Sequence, residues 1–211
     1  MIIAIDGPAG SGKSTIARKV AESLGFYFLN TGSFYRAYTL SALRNGIDPL
    51  DKDAVLECAK KTSITVRDGA ICIDGIDEEA NLHTSAVDKY ASQVSSDPRI
   101  REMVNSAVRK IAEGMNIVTE GRDTTTVIFP NADFKFYFDA APEVRAERRL
   151  KDQPDEDFET ILRSIKERDK RDIEKATGAL KIAEDAEYID TSLLTINQVC
   201  ERVIKTVRKD S

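Results

Sequence analysis

Nine consecutive residues, Gly7-Pro8-Ala9-Gly10-Ser11-Gly12-Lys13-Ser14-Thr15, fit the pattern G-x-x-x-x-G-K-[ST] without a mismatch. The chemistry of that spacing is phosphate binding. Gly7, Gly10 and Gly12 allow the backbone to turn its N–H groups onto an anion, which a Cβ would hinder. Lys13 supplies a point charge to the β- and γ-phosphates of a nucleotide, and the Ser14 hydroxyl is suited to ligate Mg²⁺. An apolar run, Met1-Ile2-Ile3-Ala4-Ile5, precedes the loop, and Ile16, Val20 and Leu24 repeat at helical spacing after it, with Gly25 as a C-cap. Strand, loop and helix in that order are the context a phosphate loop requires.

Arginine supplies the next group of anion binders. Arg36 closes Asn30-Thr31-Gly32-Ser33-Phe34-Tyr35-Arg36, Arg99 and Arg101 follow Asp97-Pro98, and Arg122 lies in Glu120-Gly121-Arg122-Asp123. Each falls near the expected C-terminal edge of a strand or the start of a helix, where open α/β sheets bind ligands. Singly, each is more often a solvated side chain than a ligand; four so placed point to a second anion. In the helix expected at 161–175, Arg168, Arg171, Asp172 and Lys175 share one face, and Ile161, Leu162 and Ile165 precede them on another. That face either closes over phosphates or is a surface laced with i to i+4 ion pairs. Arg145, Arg148 and Arg149 carry the same two readings.

A kinase that acts on a hydroxyl positions an acidic base, for which Asp6 and Asp123 are candidates. One that acts on a phosphate finds its nucleophile already ionised, and charge neutralisation becomes its main task. Many arginines and a single histidine, His83 in a polar stretch, fit the second chemistry. A module that binds ATP without turning it over is the remaining alternative.

The elements that must position these groups read as an α/β doubly wound sheet, mostly parallel. Short β-branched and aromatic runs fall at 2–5, 27–29, 117–119, 134–138 and 188–189, and helices at 33–44, 99–113, 142–151 and 196–207 separate or follow them. Residues 51–90 break the rhythm. There Ile64-Thr65-Val66-Arg67 and Ile71-Cys72-Ile73-Asp74 alternate about an Asp68-Gly69 turn, giving an inserted β subdomain or a hairpin annex without chemistry. The acidic stretch 152–159 reads as a solvated, mobile connection.

At 211 residues the chain suits one domain with a small insertion. Thirty-one basic and 36 acidic residues leave a net charge of −5, which argues against a nucleic-acid binder working through a global basic field. Cys58, Cys72 and Cys200 are widely spaced, without the paired motif of zinc ligands, and read as reduced thiols. The opening apolar stretch is too short for a signal peptide, and no span reaches transmembrane length. The expectation is a cytoplasmic protein.

The loop at Gly7, together with Thr31-Gly32-Ser33-Phe34-Tyr35-Arg36, Ser92-Gln93-Val94-Ser95-Ser96-Asp97-Pro98-Arg99-Ile100-Arg101, Glu120-Gly121-Arg122-Asp123 and Glu167-Arg168-Asp169-Lys170-Arg171-Asp172, resembles the bacterial cytidylate kinases. The resemblance spans nearly the whole chain, and the order of these motifs is more specific than the loop alone. It implies a P-loop nucleoside monophosphate kinase with a five-stranded parallel core (1–50 and 91–211), a helical lid at about 152–175, and a nucleotide-monophosphate subdomain at 51–90. It further implies ATP and Mg²⁺ as cofactors and CMP and dCMP as small-molecule substrates; charge and the lack of a long apolar span add the expectation of no nucleic-acid or membrane partner, and a monomer is expected.

By the same resemblance, Gly7 through Thr15 bind ATP, and Lys13, Arg122 and Arg168 are catalytic. Thr31, Arg36, Ser92, Arg101, Arg122, Asp123, Arg168 and Asp172 bind CMP and its phosphate. Cytosine fits these types: Asp123 and Ser92 accept from N4, Arg101 donates to N3 or O2, and Arg36 and Arg122 hold the phosphate in their planar forks. The chain departs from the family pattern in two places. Thr124-Thr125-Thr126 stands where R-D is usually followed by [IM]-G-T, so Thr125 forgoes a glycine's positive φ, and Lys175 replaces an arginine, keeping the charge without the fork.

Overall fold

The computed structural model describes residues 1–67, 69–152 and 154–209. The chain forms two compact units, Met1–Phe28 with Gly114–Ser211, and Leu29–Glu113. The second unit contains the expected 51–90 insertion but extends well beyond it on both sides.

The first unit is built on β1 (Ile2–Asp6), and the phosphate-loop segment leads into α1 (Lys13–Leu24). Past β2 (Tyr27–Asn30), which starts in this unit and finishes in the other, the chain supplies β6 (Ile117–Gly121), β7 (Phe134–Asp139) and β8 (Glu187–Asp190). The five strands are ordered β2-β6-β1-β7-β8, and β1 pairs parallel with both β6 and β7, as β7 does with β8. Every residue of β6, and of β1 after Ile2, is buried, as the continuous apolar runs demand of strands covered on both faces. The strand positions and the fold class expected from the sequence are those observed.

Helix α1 and the last helix, α8 (Ile196–Lys209), cover one face of this sheet. Ile16, Ala17, Val20, Val199 and Val203 pack with Ile3, Ile5, Phe136 and Phe138 in one fully buried cluster. Gly25 closes α1 in the left-handed region at φ 66°, as its position suggested. Helices α6 (Pro142–Asp152) and α7 (Phe158–Glu174) pair through Ala146, Ile161, Leu162 and Ile165, with Leu150 and Phe158 against them. Asp157 caps α7 by accepting from the Thr160 N–H at 2.9 Å.

The second unit contains α2 (Thr31–Arg44), α3 (Lys52–Lys61), the antiparallel strands β3 (Ile64–Arg67), β4 (Ala70–Ile73) and β5 (Ile76–Asp77), then α4 (Ser85–Val94) and α5 (Pro98–Ala112). The hairpin lies where alternation placed it, with Ile64 opposite Ile73, although Asp68 of the expected turn falls outside the described residues. A third short strand and two helices flank it, so the region is not a purely β subdomain. Asp51 accepts from the Ala54 N–H at 3.0 Å to start α3, which buries Val55, Leu56 and Ala59. Asp97 does the same for α5, with Pro98 in the first turn.

Candidate active site

The loop leaves β1 at Asp6 and bends sharply. Gly7 sits at φ 151°, and a Cβ there would stand 2.0 Å from the Phe138 carbonyl oxygen on the neighbouring strand, so a side chain is excluded by backbone. Gly10, at φ 78°, lies against Arg145, whose Cβ would be 3.2 Å from an added methyl. The loop is also held from outside. Thr191, just past β8, donates its hydroxyl to the Ser11 carbonyl at 3.1 Å, and Arg145 donates through Nη1 to the Ala9 carbonyl at 3.0 Å.

Lys13 opens α1, is 5% exposed, and donates through Nζ to the Pro8 carbonyl at 2.7 Å. Burial pushes its ammonium down to about 7; the positive charge of Arg122 acts in the same direction, and Glu120 and Asp6 oppose it. Ser14, the next residue, donates to the Glu120 carboxylate at 2.7 Å. Glu120 is the penultimate residue of β6, one strand over from β1 and opposite Ile5.

Arg122 and Asp123 follow β6 directly. Arg122 Nε donates to Asp172 Oδ2 at 2.8 Å, and Lys175 Nζ lies 3.0 Å from Asp172 Oδ1. Burial alone would raise the Asp172 carboxyl, but the charges of Arg122 and Lys175 hold it at about 2. Arg168 is half-buried one turn earlier on α7, and its charge acts on both Asp172 and Lys13. Asp123 is buried at the head of a single π-helical turn, Thr124–Ile128. One unit thus brings together the phosphate loop, Arg122, Asp123, Arg168 and Asp172.

The expected charged face of α7 is divided. Asp172 is buried along the stripe started by Ile161 and Ile165, whereas Arg171 points outward and donates to the Glu167 carbonyl. Spacings of four, three and four place Ile161, Ile165, Arg168 and Asp172 on one side, so charge continues the apolar stripe instead of opposing it.

The second unit carries the other four residues. Thr31 is the buried first residue of α2, and Arg36 on the same helix binds Asp88 at 2.7 Å and the Leu82 carbonyl at 2.9 Å. Ser92 is half-buried on α4. Arg101 is buried on α5, donates to the Ser95 carbonyl at 3.1 Å, and lies over the Tyr35 ring at 5.5 Å. Arg99 is instead occupied at the helix start, pairing with Asp97 and Asp53.

Sequence reasoning passed over Glu120, although it belongs to the Glu120-Gly121-Arg122-Asp123 motif; its position at the end of a strand flanking the loop's own strand was the available signal. It left Arg145 undecided and did not mark Thr191, for which spacing gives no sign. Thr125 turns out not to need the glycine conformation: the turn is made with negative φ at Asp123 and a π-helical step, and among the described non-glycine residues only Asp74 has positive φ.

A glycine-rich loop leaving the central strand of a five-stranded α/β sheet, with its buried lysine at the start of the next helix, defines a P-loop nucleotide-binding fold. The family model for cytidylate kinase matches residues 3–209, and the chain belongs to that family. A cytidylate kinase from Caldanaerobacter subterraneus subsp. tengcongensis is 43% identical over 99% of this chain and 95% of its own length, and one from Thermodesulfovibrio yellowstonii is 40% identical over 100% and 99%. Solved structures of low identity share the fold. An uncharacterized protein from Eubacterium ventriosum has a TM-score of 0.58 at 16% identity, covering 99% of this chain and 98% of that one. Shikimate kinase from Bacteroides thetaiotaomicron gives 0.52 at 12% identity, with the same coverage.

Proposed function

We propose that the protein transfers the γ-phosphoryl group of ATP directly to CMP, and likewise to dCMP, giving CDP or dCDP and ADP. The observation that carries this reading is the placement of Arg122 and Asp123 immediately after β6, whose Gly121 stands opposite Asp6 at the loop's entry. An arginine fork and a carboxylate acceptor therefore sit just past the end of the strand that neighbours β1, in a chain of the cytidylate kinase family.

The CMP phosphate oxygen attacks the γ-phosphorus in line, and no base is required because the acceptor is already ionised. Lys13, Arg122 and Arg168 neutralise charge that spreads over the transferring group. Thr31, Arg36, Ser92, Arg101, Asp123 and Asp172 carry acceptor-binding roles. Asp123 accepts from the cytosine N4 amine, which uracil lacks. In this reading 51–90 belongs to the acceptor side and 152–175 acts as the lid.

The residues present fit Mg²⁺. Ser14 and Glu120 offer hard oxygens in mutual contact, and among the described residues no group of three or more His, Cys, Asp or Glu could hold a metal unaided, which suits an ion that shares its coordination with phosphate and water. Held by Ser14 and Glu120, the ion would supply positive charge that offsets the negative charge of the nucleotide phosphates.

Asp6 is ill placed as the base of a hydroxyl kinase, since its buried carboxylate already accepts three hydrogen bonds. ADP release measured with CMP, dCMP, UMP, AMP and shikimate tests the reading. Turnover with CMP and dCMP far above the others is expected; equal turnover with UMP or AMP overturns the roles of Asp123 and Arg101, and shikimate turnover overturns the acceptor class. The protein works as a monomer, which light scattering on the eluted species checks.

A further inference from the structure

Asp6 is the last residue of β1 and is completely buried. Its carboxylate is spent on a single target. Oδ1 accepts from the Thr124 N–H at 2.9 Å, and Oδ2 accepts from the Thr125 N–H at 2.7 Å and from the Thr125 hydroxyl at 2.6 Å. All three donors belong to the two residues that follow Arg122-Asp123. On its far side the turn closes upon itself, with the Val127 and Ile128 N–H groups both donating to the Asp123 carbonyl and Phe129 N–H donating to the Thr124 carbonyl at 2.8 Å.

A buried carboxylate is costly unless its lone pairs are used, and charge-assisted bonds are the strong ones. Burial pushes the Asp6 carboxyl up, and the three donors pull against it. Two of these donors are backbone and available to almost any residue, whereas the third requires a hydroxyl side chain at position 125. It is also the shortest of the three contacts.

We propose that Asp6 and the Thr125 hydroxyl form a clasp that positions the Arg122-Asp123 turn, so that position 125 governs affinity for the acceptor nucleotide independently of ATP. Both are positioning residues: neither touches substrate, and they act through Arg122 and Asp123. The inference rests on the reading of the protein as a CMP kinase.

The variants Thr125→Val, Thr125→Ala and Thr125→Ser separate the hydroxyl from the rest of the side chain. Valine keeps the shape without the donor, alanine avoids any overpacking should valine not fold, and serine keeps the donor. The Michaelis constant for CMP is expected to rise about tenfold in Thr125→Val and Thr125→Ala, with that for ATP within about twofold of wild type, and Thr125→Ser is expected to recover most of the loss. Hydrogen exchange at the Thr124 and Thr125 amides is expected to speed up in the first two variants and not in the third. Equal rises for both substrates, an unchanged CMP constant, or no recovery with serine overturns the proposal, as does full amide protection in Thr125→Val and Thr125→Ala. Absence of CMP turnover in the wild type is a failure of the functional reading instead, and the amide measurements then still decide whether the clasp exists.

Discussion

Arg145 and Asp169 meet fork to fork: Nη1 donates to Oδ1 at 3.0 Å and Nη2 to Oδ2 at 2.6 Å. The same guanidinium donates through Nε to the Ala140 carbonyl at 2.8 Å and through Nη1 to Ala9 in the phosphate loop. One buried side chain on α6 therefore ties α7 to the loop, and no other residue type offers five donors in one plane.

Replacing Arg145 by lysine removes the fork and leaves Asp169 and the Ala9 carbonyl without adequate partners. Because Arg145 is only 3% exposed, the expected cost is about 3 kcal/mol of stability, read by urea denaturation, together with a raised Michaelis constant for ATP. Unchanged values of both would show that the loop is held by other contacts.

Lys13→Ala is expected to lower turnover at least about a hundredfold while the protein remains folded by circular dichroism. Retention of wild-type turnover would remove the phosphate role assigned to the loop.

The lowered value of Lys13, about 7, makes nucleotide binding sensitive to pH. Without nucleotide a share of Lys13 is neutral just above that pH, and a triphosphate beside it draws a proton back. Calorimetric titration of ATP in buffers of different ionisation heat should show proton uptake above about pH 7 that is lost in Lys13→Ala. The stability effect has the opposite sign from a salt bridge. The folded value lies below the usual 10.5, so the folded state holds fewer protons in that interval, and Lys13's contribution to stability rises as pH climbs from 7 towards 10.5.

Asp172 behaves in the reverse direction. Its folded value of about 2 lies below the usual 3.8, so the stabilisation it brings, roughly 2 kcal/mol, is full above about pH 4 and is lost as pH falls towards 2. Thermal denaturation of wild type and Asp172→Asn between pH 5 and 2 should converge at the acid end. Parallel curves across the whole range would mean that the Arg122 pair contributes nothing.

Asp123→Ala should erode the preference for CMP over UMP. A carboxylate that accepts from N4 and faces an acceptor in uracil accounts for about 1.5 to 3 kcal/mol of discrimination, roughly tenfold to a hundredfold in kcat/KM. A variant that keeps the full preference would move the reading of cytosine to Ser92 and Arg101.

Much of this was legible because the relevant signals are local. The phosphate loop, the five strands and the flanking helices follow from runs of neighbouring residues, and Gly25 and the cap residues lie beside the elements they end. Helices α3 and α4 were missed between hairpin signals, although Asp51, Val55 and Ala59 carry a cap and a helical stripe. Glu120 against Ser14, Arg145 against Ala9 and Thr191 against Ser11 were not legible, since each pair is joined by strand order and not by spacing. The inward turn of Asp172 escaped for a different reason: a buried carboxylate looks like a surface one until its cations are placed.

The register of β1 also has a consequence for how the chain is made. β1 is the middle strand of its sheet, yet its partners, beginning at Ile117 and Phe134, are more than a hundred residues away along the chain. At ordinary rates of synthesis both its edges wait on the order of ten seconds for a neighbour. During that interval the whole of Leu29–Glu113 emerges from the ribosome. The strand that launches the phosphate loop is thus translated ahead of Leu29–Glu113, and the sheet around it closes only after that stretch has been made.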